Sequence, residues 1–191
     1  MIARDWHRSL PISPFYLGEL DSRFTLAKMS MPPHLSPLRD LSPLQHAQLL
    51  DIELLPEQRM FAGDIESELH ILRGRSHPDV CGLALLVEEV PKAFLLLKRG
   101  ELLPPWARRD AATVHALQID RRAQRCGLGR LLLTELPTTV RALWPQVHCL
   151  QLSVDEQNTA ALGLYRALGW TVTGNGYRAA IGFERQLTLA L

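Results

Sequence analysis

At 191 residues, 47% of them hydrophobic and 21% charged, the chain has apolar material for one sizeable core and too little length for two ordinary domains. A formal net charge of +1 gives no reason to expect bulk nucleic-acid binding, and no apolar run reaches the roughly 20 residues of a membrane span. Cys81, Cys126 and Cys149 are widely spaced and form no metal-ligand pattern, so reduced thiols of a cytoplasmic protein are expected, with neither a metal site nor a disulfide framework.

Residues 1–33 read as an N-terminal extension ahead of a domain over 34–191. Pro11, Pro14, Pro32 and Pro33 punctuate it, and Arg4, Asp5 and Arg8 stand where a secretory signal would be apolar. Leu35–Arg39 is a short strand that Pro37 confines to an edge. Ser42-Pro43, a cap followed by proline at the first helical position, starts a helix over Leu44–Leu50. Pro56–Leu72 reads as one helix, with Met60, Phe61, Ile65, Leu69 and Leu72 on one face.

Cys81–Glu88 and Ala93–Lys98 are apolar strands joined by a turn around Glu89–Lys92. Gly100–Asp110 is a loop long enough to form a lid, and Thr113–Ile119 is a central strand. The helix that follows carries Leu132, Leu136 and Val140 toward the core, and Pro137 inside it is expected to kink or end it. Val147–Val154 is a strand. Thr159–Leu168 is a helix capped by Asn158 or Asp155, with Gly169 in its terminal position. Trp170–Thr173 and Phe183–Ala190 are the last strands. The order gives an α/β fold with a single mixed central sheet flanked by helices.

The richest segment is Leu117-Gln118-Ile119-Asp120-Arg121-Arg122-Ala123-Gln124-Arg125-Cys126-Gly127-Leu128-Gly129-Arg130. A strand ends in a basic loop, and two glycines open a helix whose first N–H groups have no intrahelical acceptor. That is how a backbone cradles phosphate. A dinucleotide fingerprint would need a third glycine where Leu132 stands. A Walker loop would need lysine and a hydroxyl residue where Arg130 and Leu131 stand. Cys126 reads as a small loop residue rather than a nucleophile.

Gln124-x-x-Gly127-x-Gly129, together with Asn158-x-x-Ala161, Leu164-Tyr165 and Leu168-Gly169-Trp170, resembles the acyl-CoA site of the GNAT superfamily of N-acyltransferases. The resemblance runs over about residues 35–190 and is sharpest over 113–170. It implies a GNAT-like fold with splayed central strands, 113–119 and 147–154, and acetyl-CoA as cosubstrate. Pantetheine would pair with the backbone of Leu117 and Ile119. The amides of Arg125, Cys126, Gly127, Leu128, Gly129 and Arg130 would hold the diphosphate, beside Gln124, and Asn158 would contact the pantetheine arm. Tyr165 would protonate the departing thiolate. Removing residues 1–28 should leave acyl-CoA binding intact.

An amine acceptor must also lose a proton. His115 is the candidate base, expected by strand alternation to share a face with Leu117; Glu88, Glu89 and Asp155 stand behind it. His115-Ala116-Leu117-Gln118-Ile119 resembles half of the two-histidine strand of arylalkylamine N-acetyltransferases, with Thr113 in place of the first histidine. Leu55-Pro56-Glu57-Gln58 has a fainter similarity to diamine acetyltransferases, whose carboxylates Glu53, Glu57, Asp64, Glu66 and Glu68 could supply.

The expected activity is acetyl transfer to a primary amine, on a small molecule or a protein, by direct attack. The alternatives are a non-catalytic acyl-CoA-binding or sensing module, which Tyr165 argues against, and an interaction protein with an incidental glycine turn. No nucleic-acid or membrane partner is expected, and the oligomeric state stays open, a homodimer included.

Overall fold

The computed structural model describes residues 31–62, 65–74, 77–178 and 183–191. The first 30 residues of the expected extension therefore lie outside the described residues. Strand β1 (His34–Pro37) leads to helix α1 (Pro43–Gln48), whose Ser42 cap and Gln45 form a reciprocal capping box with proline at the start. The single helix expected over 56–72 is two, α2 (Pro56–Ala62) and α3 (Ile65–Gly74). The expected face divides accordingly: Ile65 and Leu69 are buried, whereas Phe61 of α2 is exposed.

Strands β2 (Val80–Val87) and β3 (Val90–Lys98) form a hairpin whose turn is only Glu88-Glu89. Both residues have positive φ, 50° and 63°, the geometry whose twist matches the flanking strands. The turn is thus tighter than the sequence suggests, and Pro91 falls inside β3 beside a bulge. Next come β4 (Ala111–Ile119), α4 (Leu128–Leu143), β5 (Cys149–Asp155), α5 (Thr159–Ala167), β6 (Thr171–Arg178) and β7 (Phe183–Ala190). One mixed sheet holds them in the order β1-β2-β3-β4-β5-β7-β6.

Two apolar layers cover the sheet. On one face α4 and α5 bury Leu132, Leu133, Leu136, Val140, Leu162 and Tyr165 against Leu83, Leu95, Val114, Leu150 and Leu152. On the other, Leu49, Ile65 and Leu69 pack on Ala84, Leu86, Phe94 and Leu96. Of the two outcomes expected at Pro137, a kink or an end, the end does not occur: α4 runs on to Leu143. A proline inside a helix costs about 3 kcal/mol. Four buried side chains at about 1.5–3 kcal/mol each outweigh it.

Candidate active site

Among the described residues the sheet is parallel at one junction, and there it comes apart. β4 pairs with β5 through Ala111↔Cys149, Ala112↔Leu150 and Thr113↔Gln151, and no further. β5 then runs its whole length against β7, so from Val114 to Ile119 the facing edge of β4 has no strand partner among the described residues. A bulge in β4 marks the same place. Phe94 pairs with Gln118 and Leu96 with His115, so Leu95 faces two residues, Ala116 and Leu117, and Ala116 takes a φ of +48°.

The bulge corrects the predicted facing of His115. Ala112 and Val114 point to the α4–α5 side before it, and Leu117 and Ile119 point there after it, so the two-residue alternation slips by one. Ala116 packs with the α1–α3 layer. His115 shares its face with Thr113, whose Oγ1 lies 2.8 Å from its Nε2, and that is the face opposite Leu117. Burial pulls the His115 conjugate acid down to about 4, and the Lys98 ammonium adds to the effect. The ring is therefore neutral at neutral pH.

Beyond β4 the chain makes a short turn over Arg121–Ala123, then Arg125 with φ +61° and Gly127 with φ +80°, and enters α4. Gly127 is the helix cap and offers no side-chain cap bond; the first helical amide to find a carbonyl is that of Leu131, on Gly127 at 3.0 Å. Among the described residues the amides from Arg125 to Arg130 have no acceptor, so six consecutive donors surround the helix start. A side chain at Gly127 would meet nothing within 4 Å, so its left-handed backbone is what requires glycine. Gly129 is different: a Cβ there would lie 3.1 Å from Ile119 Cδ1 and 3.2 Å from Leu164 Cδ2, so it brings α4 close to strand and helix.

The basic cluster splits in two. Arg121 pairs with Glu53 at 2.7 Å, and Arg122 grips the buried Asp120 at 2.8 Å while also donating to the Asp51 carbonyl. Burial alone would raise the Asp120 pKa, but the Arg122 hydrogen bonds and charge, with help from Lys92, bring it below its ordinary value. Arg125 and Arg130 have no carboxylate partner among the described residues and remain as the cations beside the free amides. Cys126 is exposed between them.

Gln124 turns inward. Its Nε2 donates to the Ile119 carbonyl at 2.9 Å and to Gln58 Oε1 at 2.8 Å, and Gln58 Nε2 returns a bond to Gln124 Oε1 at 3.1 Å. Gln58 Oε1 also accepts from the Leu55 amide, so one side chain caps α2 and ties it to the loop. Nothing local announces this pairing, because its two glutamines lie 66 positions apart.

On the far side of the fork, Asn158 caps α5 by accepting from the Ala161 amide at 3.2 Å, which leaves its own N–H₂ without a partner among the described residues. Tyr165 is 7% exposed, and burial raises its hydroxyl pKa well above the ordinary phenol value, so it stays protonated. Its ring packs on Trp170, centroids 5.6 Å apart. Gly169, with φ +84°, ends the helix as expected. Of the other candidate bases, Glu89 accepts from the Gln45 side chain and Asp155 from the Gln157 amide. Glu88 sits in the hairpin turn, and Asp64 lies outside the described residues.

Comparison with known proteins bears on the family and the fold. Residues 41–170 match the family described as Acetyltransferase (GNAT). The [ribosomal protein bS18]-alanine N-acetyltransferase of Salmonella typhimurium is 38% identical over 85 residues, which is 43% of this chain and 56% of that protein. The chain thus matches about half the length of that curated relative. The crystal structure of the ribosomal-protein-S18-alanine N-acetyltransferase of Escherichia coli superposes with a TM-score of 0.56 at 25% identity, covering 83% of this chain and 92% of that one. The yncA protein of Salmonella typhimurium, solved with acetyl-CoA, gives a TM-score of 0.61 at 17% identity over 84% of this chain and 94% of that one.

Proposed function

The chain belongs to the GNAT acetyltransferase family, and from that premise we propose that it moves an acetyl group from acetyl-CoA to a primary amine, the α-amine of a protein N-terminus. The carrying observation is the three-pair fork between β4 and β5 beside six unsatisfied amides. Those amides and the unpaired Arg125 and Arg130 suit a diphosphate in number and charge. Gln124 sets the loop from behind. The unpartnered β4 edge at Leu117 and Ile119 offers hydrogen bonds to the pantetheine amides, and the Asn158 N–H₂ offers another.

The reaction then needs two proton transfers. The amine nitrogen attacks the thioester carbonyl, the C–S bond breaks, and the Tyr165 hydroxyl gives its proton to the leaving sulfur. His115 takes a proton from the amine as the C–N bond forms. A base whose conjugate acid titrates near 4 is too weak to strip a lysine ammonium, which has a pKa of roughly 10.4. An α-amine, at about 7.7–8.0, is already substantially neutral at physiological pH. The weak base thus favours an N-terminal acceptor, and the likeness to two S18-alanine N-acetyltransferases points the same way.

Calorimetric titration with acetyl-CoA, followed by a thiol-release assay on peptides with free N-termini and on lysine peptides with blocked ones, tests the reading. Binding and release with the first set alone is expected. Absence of binding removes the proposal, and faster release with the lysine set removes the choice of acceptor.

A further inference from the structure

We propose that Thr113 fixes the tautomer of His115, so that Nε2 carries the hydrogen and Nδ1 is the atom that accepts the acceptor's proton. The inference rests on the reading of His115 as base. The Thr113 hydroxyl has one hydrogen and two close partners: the Lys98 carbonyl at 3.3 Å and His115 Nε2 at 2.8 Å. A carbonyl oxygen only accepts, so Thr113 donates to Lys98. Its oxygen then faces Nε2 with lone pairs alone, and Nε2 must bring the hydrogen. The opposite assignment, with Thr113 donating to Nε2, would take the Lys98 carbonyl's hydroxyl donor away in a part-buried place, at a distance where both contacts are made.

The position makes the choice matter. Thr113 is fully buried and is the last β4 residue paired to β5; His115 is two residues on, where the fork has opened. The threonine is tied into the closed part of the sheet, and the imidazole it holds belongs to the stretch of β4 beyond the last β5 pair. Because burial keeps the ring uncharged, only one of its nitrogens can accept, and Thr113 decides which. Thr113 is a positioning residue: it acts on the reaction through the imidazole.

Nitrogen-15 NMR of the full chain labelled at histidine reads the tautomer directly, with the His115 signals assigned by their loss in His115→Gln. The expected wild-type pattern is a protonated Nε2 and an unprotonated Nδ1. Thr113→Ser should keep it, and Thr113→Val should shift it toward a tautomer mixture while lowering kcat about fivefold to tenfold, with KM for acetyl-CoA unchanged. A wild-type ring protonated at Nδ1, or one unmoved in Thr113→Val, overturns the inference. His115→Gln keeps an N–H for Thr113 and supplies no basic ring nitrogen. If that variant turns over at the wild-type rate while the wild-type ring is protonated at Nε2, the base assignment falls and the tautomer assignment stands.

Discussion

The two halves of the cleft are built from different material. On the β4–α4 side the candidate binding groups belong mostly to the backbone: free amides at a helix start, an unpartnered strand edge, and a left-handed glycine that turns them inward. On the α1–α3 side pairs of side chains stand out, Gln58 with Gln124, Arg121 with Glu53 and His115 with Thr113, beside contacts to backbone such as Arg122 to the Asp51 carbonyl. A backbone site is specified by a few conformational requirements and tolerates change in most side chains. A side-chain site depends on residues far apart in sequence. The first suits a ligand that never varies, and the second suits an acceptor that must be chosen.

The sharpest way to break this division is to remove a group with a chemical role and see whether binding follows. Tyr165→Phe deletes only a hydroxyl and keeps the ring packed on Trp170. Turnover should fall on the order of 10²–10⁴-fold, as expected for loss of a positioned proton donor, while the acetyl-CoA Kd stays within about twofold. Thiol release and calorimetry measure the two separately. If turnover is unchanged, Tyr165 is a packing residue and the proton comes from elsewhere.

Next in size is the acid dependence of stability. The folded-state pKa of His115, about 4, lies below the unfolded value of 6.5, so the unfolded chain binds the proton more tightly between those limits. The neutral ring's advantage is complete above pH 6.5 and is lost as pH falls toward 4. The loss is at most about 3 kcal/mol. Denaturant midpoints measured across that window should drop for the wild type and drop less for His115→Gln. Parallel curves would show that the ring is solvated and that the side-chain half is looser than its hydrogen bonds imply.

Gly127→Ala probes the backbone half. Nothing lies within 4 Å of the added carbon, so the penalty is conformational, about 1–2 kcal/mol for an L-residue held at positive φ. If the loop relaxes to avoid it, the amides turn away and the acetyl-CoA Kd rises roughly tenfold; if it does not, the fold loses that stability and the Kd stays put. Either result places the strain. A variant that matches the wild type in both affinity and melting temperature would mean that this glycine does not hold the cradle.

The backbone half was the readable half, for the same physical reason. Gly127, Asn158 and Gly169 mark local conformations, and local conformations are set by neighbours in sequence: the cap on α5 and the left-handed glycine after it stand where expected. The succession of strands and helices followed largely from periodicity, although the helix expected over 56–72 is two. What failed depended on contacts across the fold. The β4 bulge at Ala116 has no glycine to announce it, and it turned His115 to the other face. Nor does the sequence show how the basic loop divides: Glu53 and Asp120 hold Arg121 and Arg122.

The smallest predicted effect lies where the halves touch. Gln58 belongs to α2 and Gln124 to the loop, and their reciprocal amide bonds are a direct side-chain tie between the two. In Gln58→Ala, Gln124 keeps its bond to the Ile119 carbonyl but loses its partner, and the Leu55 amide loses its cap. Each net hydrogen bond is worth about 0.5–1.5 kcal/mol, so the acetyl-CoA Kd should rise severalfold, with a matching fall in melting temperature. Gln58→Glu restores an acceptor for Gln124 Nε2 and for the Leu55 amide, so it should recover part of the affinity. If affinity is insensitive to both substitutions while stability falls, the two halves are joined mechanically but bind their substrates independently. If affinity and stability move together, a change in α2 is felt at the loop before α4, because the same amide pair closes both.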